Sequence, residues 1–106
     1  LASWGLAPMK KGALYKYTKV GRSIIVGDVN RATDYFMFLG ERLNDDNIDE
    51  ISHNDLVVYL DKYLVRDNLA ENAKYSFLLI KVLTQKGIVG WVSWNINEWE
   101  EVQVCQ

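Results

Sequence analysis

The hydrophobic positions of this chain fall in short runs, and at both ends their period is two. Ala13-Leu14-Tyr15-Lys16-Tyr17-Thr18 alternates, with Leu14 facing opposite to Tyr15 and Tyr17. Ser23-Ile24-Ile25-Val26 is a β-branched run closed by Gly27-Asp28. Asp34-Tyr35-Phe36-Met37-Phe38-Leu39 is aromatic and continuous, the pattern of a strand buried on both faces. Tyr75 to Leu83 is a further apolar run. Thr84-Gln85-Lys86-Gly87 then reads as a tight hairpin turn, with Gly87 supplying positive φ. Ile88 to Trp94 returns as the partner strand, Asn95-Ile96-Asn97 is a second turn, and Trp99 to Val104 closes the chain as a last strand.

The middle has a different pattern. Leu43-Asn44-Asp45-Asp46-Asn47 is a polar loop. Ser52-His53-Asn54-Asp55 fits a capping box, a serine followed three residues later by an acid. Leu56, Leu60, Tyr63 and Leu64 follow at helical spacing, against the strand tendency of Val57-Val58-Tyr59. The spacing predicts a helix over 53–65. The expected fold is mainly β: a small barrel of about five strands with an acidic, helical insertion at residues 43–74.

Length and composition suit one ordinary domain. The chain has 106 residues, 49% of them apolar and 25% charged, which is the profile of a globular protein. Met9-Lys10-Lys11 looks like a translation start, so residues 1–8 read as an extension and 9–106 as the domain. No run of apolar residues is long enough to cross a membrane as a helix. The single cysteine, Cys105, excludes an internal disulfide and a thiolate zinc site, and suits a cytoplasmic setting. The single histidine, His53, excludes a site with two imidazoles; with Glu50 and Asp55 nearby it could form an acid–base pair, but at the predicted helix start it reads as a solvated capping-region residue. Asp45 to Glu50 places oxygen ligands at alternate positions. It lacks the glycine and the glutamate that a calcium loop needs at its sixth and twelfth places. No phosphate-cradling glycine pattern occurs. No catalytic residue, cofactor or metal is expected, and the chain reads as non-enzymatic.

Charge is distributed unevenly. Residues 1–42 carry seven Lys/Arg against three acids, a net +4; residues 43–68 carry a net −5 and the remainder −1. The basic third and the acidic middle are expected to attract each other, within the fold or between copies. Lys10, Lys11, Lys16, Lys19 and Arg22, with Tyr15 and Tyr17 among them, form the best nucleic-acid signal in the chain.

Two segments carry a likeness. Ala13-Leu14-Tyr15-Lys16-Tyr17 resembles the Ala-Leu-Tyr-Asp-Tyr start of Src-homology-3 domains, and Gly87-Ile88-Val89-Gly90-Trp91-Val92-Ser93 resembles the return strand of their distal hairpin. Asn97-Glu98-Trp99 stands where that family has its Ser-Asn-Tyr turn. Bacterial and phage proteins with such barrels look similar. The chain departs from the family at Lys16, which replaces an acid, and at Ser93, which replaces the groove proline. It also lacks the tryptophan that follows the variable loop. The resemblance implies a small barrel with an aromatic groove for a protein or peptide partner, and Tyr15, Tyr17 and Trp99 are the transferable positions.

The aromatic residues therefore carry the functional expectation. Tyr15, Tyr17, Trp91 and Trp99 are the candidate ligand-binding residues, for a protein or peptide partner or for a second copy of the chain. The alternative is a nucleic-acid-binding barrel using the basic third. Trp91 and Trp94 fall on opposite faces of their strand. A small barrel has one interior, so one of them should lie outside it, under the insertion or under a second copy.

Overall fold

The computed structural model describes residues 9–37, 47–70 and 73–103. These form one antiparallel sheet of seven strands: β1 (Leu14–Tyr17), β2 (Arg22–Val26), β3 (Asn47–Ser52), β4 (Leu56–Ala70), β5 (Ala73–Thr84), β6 (Val89–Ser93) and β7 (Trp99–Glu101). One helix, α1 (Val29–Met37), follows β2, and a 3-10 turn (Ile96–Glu98) leads into β7. The strand order is β3-β2-β6-β5-β4-β1-β7. The sheet curls into a half-barrel.

The turn between β3 and β4 shows why it must curl. β3 is an edge strand and β4 lies four places away, yet only Ser52–Asp55 joins them. The Asp55 amide donates to the Ser52 carbonyl at 3.0 Å, and the Asp55 carboxylate accepts from the Ser52 amide at 2.8 Å. Asn54 takes φ +72° at the third turn position, where asparagine is tolerated. The same turn meets the end of β1: Asn54 N–H donates to the Tyr17 carbonyl at 2.7 Å, and Tyr17 N–H to the Asp55 carbonyl at 2.9 Å. His53 Nδ1–H donates to the Lys19 carbonyl at 3.2 Å.

Four sequence expectations are corrected here. The helix over 53–65 is instead this turn followed by β4. The serine and the acid of the apparent capping box close a β-turn rather than a helix start. The helical spacing of Leu56, Leu60 and Tyr63 comes from a bulge between Tyr59 and Asp61, which breaks a period-two strand at Leu60. Within the described part of 43–74 there is no helical insertion: β3, β4 and the start of β5 belong to the sheet. The strand expected at 34–39 is, through Met37, the second half of α1. Asp28 accounts for it, because its carboxylate accepts from the amides of Asn30 and Arg31 at 3.1 Å each. Residues 38 and 39 lie outside the described residues. Seven strands stand where about five were expected. The hairpin at Thr84–Gly87 is present, with Gly87 at φ +81°, as are strands at 14–17, 23–26, 89–93 and 99–101.

Each face of the sheet has its own apolar cluster. The concave face buries Tyr15, Tyr17, Ile25, Ile51, Val57, Tyr59, Ile80, Val82, Val92 and Trp99. The convex face buries Val26, Val65 and Leu79 with Ala32 of α1, and the half-buried Tyr35, Phe36, Phe77 and Trp91 pack around them. Both edge strands carry acids, Asp49 and Glu50 on β3 and Glu100 and Glu101 on β7, which discourages strand-to-strand aggregation.

Candidate interaction face

The structure does not bring the four candidate aromatics together. Tyr17 is 1% exposed, Tyr15 5% and Trp99 7%, and all three are core residues of the concave face. β1 points Tyr15 and Tyr17 inward, where Tyr15 meets Tyr59 edge-on at 6.2 Å and Tyr17 meets Trp99 at 5.1 Å. The Tyr15 hydroxyl accepts from the Lys10 amide at 3.1 Å. Their ring faces are spent on packing, so no open groove is formed from them. The Trp99 indole N–H is buried with no acceptor among the described residues; it is the ring's area that the core uses.

Trp91 and Trp94 separate as the strand alternation requires. Trp94 packs on the concave side, stacked over Trp99 at 6.3 Å and 20° between planes. Trp91 packs on the convex side with the α1 cluster. Its outer edge meets the exposed Tyr63 at 6.4 Å. The cover over Trp91 is α1, not an insertion at 43–74.

Burial also acts on the core tyrosines. The Tyr17 hydroxyl is held above the ordinary value of 10.0, first by burial and then by the Glu98 carboxylate. Tyr59 is raised by burial, and further by Asp61 and Tyr15. A folded-state pKa above the unfolded one gives stability that is complete below the unfolded pKa and is lost as pH rises through the folded one. Resistance to denaturant is therefore expected to hold up to about pH 10 and to fall beyond it. Tyr59→Phe should flatten that fall, as denaturant midpoints measured across the alkaline range would show.

The basic candidates are largely engaged by acids. Lys11 pairs with Asp61 at 3.6 Å, Lys19 with Glu98 at 3.4 Å and Arg22 with Glu50 at 3.2 Å. Lys16 stands opposite Glu100 in register, and Lys10 is exposed. The attraction between the basic third and the acidic middle thus operates within the fold. The Asp61 carboxyl is held below its usual range, first by the Lys62 amide and then, against an opposing desolvation, by the Lys11 ammonium. Lys11–Asp61 and Arg22–Glu50 are exposed and Glu98 is half-buried, so solvent screens these pairs and they add little to stability. Their effect is to leave little uncompensated positive charge for a phosphate backbone.

A small pocket of about 90 Å³ opens between β3, the β3–β4 turn and the β5–β6 turn, lined by Asp49, Glu50, Asp55, Leu56, Thr84 and Lys86 among others. Its carboxylates are already taken. Lys86 reaches Asp49 at 3.4 Å, Arg22 holds Glu50, and Asp55 holds the Ser52 amide.

Among the described residues, one apolar row lies beyond the cluster around α1. The sheet register places Leu14 beside Val58, Val58 beside Leu83, and Leu83 beside Val89. Their chain neighbours Tyr15, Val57, Tyr59 and Val82 point into the concave core, so this row lies on the convex face. Val89 is 41% exposed, and Leu14, Val58 and Leu83 are half-buried. α1 covers the neighbouring part of the same face, over Val26, Leu79 and Val65. The row is invisible in the sequence because it takes one residue from each of four strands. Its only trace there is Leu14, which alternates away from Tyr15 and Tyr17.

Among the described residues no helix is long and apolar enough to cross a membrane. The chain matches no known protein-family model, no curated protein and no solved structure.

Proposed function

We propose that this chain is a non-enzymatic interaction module that binds a protein partner through the convex face of its sheet, beside α1. The observation that carries this is the register-aligned apolar row Leu14, Val58, Leu83 and Val89, left open where α1 ends its cover. An apolar row of this kind, bordered by Trp91 two residues along β6 from Val89, offers aromatic and aliphatic anchors of the type that dominate protein interfaces. The Src-homology-3-like reading of the barrel belongs to this proposal. What supports it is that Leu14–Tyr17 and the Val89–Ser93 return strand lie in one curled sheet.

Peptides and single-stranded oligonucleotides screened side by side test the reading. Peptide binding with weak salt dependence, lost on Val89→Asp, is the expected result. Oligonucleotide binding that falls steeply with salt and is lost on Lys16→Glu would contradict it, because that is the signature of phosphate contacts.

A further inference from the structure

The open row has a definite size and border, and these select an occupant. Resting on the reading above, we infer that the row receives an amphipathic helix of about three turns, supplied by a partner protein and laid across the strands next to α1.

Length is the first argument. Leu14, Val58, Leu83 and Val89 sit on four adjacent strands, so the row spans three strand spacings, about 14 Å. A row that long and one side chain deep falls far short of the roughly 800 Å² per partner that a standard interface between globular proteins buries. It is too small to hold a second copy of the chain stably, and it suits a single element.

The second argument is that the same face already accepts such an element. α1 is nine residues long, about 13.5 Å at 1.5 Å per residue. It lies against β2 and β6, and its buried Ala32 and half-buried Tyr35 and Phe36 belong to one cluster with Val26 of β2, Leu79 of β5 and Val65 of β4, an apolar patch that spans several strands. Trp91 joins the two regions: it belongs to the cluster under α1, and it is two residues along β6 from Val89. A second helix on the row would continue the α1–sheet interface with the same kind of contact. Apolar residues at i, i+3 or i+4, and i+7 would meet the row.

Charge is the third argument. On the convex face the row is bordered by Lys81 opposite Asp61 and by Lys16 opposite Glu100. With Lys11 also on Asp61, these are three lysines against two acids; the small net charge leaves apolar contact as the main attraction, and binding should change little with salt.

The test uses two display libraries against the intact chain. One presents a randomised three-turn helix on a stable helical scaffold, and the other presents unstructured peptides of equal length. The expected result is enrichment from the helical library of binders with apolar residues at helical spacing. Their affinity should drop about ten-fold or more on Val89→Asp. Val58→Thr, isosteric and strand-compatible, gives an independent reading at the centre of the row, and thermal melting of both variants confirms that they fold. Enrichment from the unstructured library alone, with the same dependence on Val89, would overturn the helix while leaving the interaction face standing. Binders from either library that are indifferent to both substitutions would overturn the face itself.

Discussion

Replacing Tyr17 by alanine is expected to cost about 3–5 kcal/mol, the range for truncating a large buried aromatic. Tyr17 is 1% exposed, so the cavity would open at the centre of the concave core. Three attachments converge on it. Its ring packs on Trp99, its backbone is bonded to both Asn54 and Asp55 of the β3–β4 turn, and it pairs with β7 through Trp99. The backbone bonds that tie β1 to the turn survive in the alanine variant, so the loss comes from the ring and its contact with Trp99. Total stability for a domain of this size is about 5–15 kcal/mol. The loss should lower the melting temperature by more than about 15 °C. A shift below about 5 °C would show that Tyr17 is not a central core residue.

Leu79→Ala should be nearly as costly, about 2–5 kcal/mol, with a different distribution through the molecule. Leu79 is fully buried on the convex face, under α1 and beside Val26 and Val65. Its truncation removes the surface on which the helix rests. Amide hydrogen exchange should therefore accelerate in α1 more than in β1 and β7, which depend on the concave cluster. In Tyr17→Ala that order should reverse. Equal acceleration everywhere in both variants would mean that the two faces do not form separate clusters.

How much of this could be read in advance depends on how local the cause was. β1, β2, β6, the Thr84–Gly87 hairpin and the start of β7 were legible because alternation, β-branching and a turn glycine are local signals. α1 was missed although Asp28 caps it, since the aromatic run Tyr35-Phe36-Met37 outweighed one polar residue. β4 was read as a helix because a single bulged residue, Leu60, converts a period of two into an apparent helical period. Ser-x-x-Asp did foretell a hydrogen bond between the Asp55 carboxylate and the Ser52 amide, but that bond serves a turn as readily as a helix. The aromatic candidates were correctly placed on strands. Whether a strand residue faces a groove or the core is decided by the curl of the sheet, and the curl depends on pairing between distant segments. The apolar row depends on the same long-range register, and so only one of its members left a trace in the sequence.

The interaction face also bears on oligomeric state, which has the most direct measurement. The account predicts that the untagged chain, in reducing buffer, scatters light as a monomer at both low and high salt, with the convex row free for a partner. A stable dimer that Val89→Asp converts to monomer would contradict it, because the row would then be an interface between copies of the chain rather than a site for another protein.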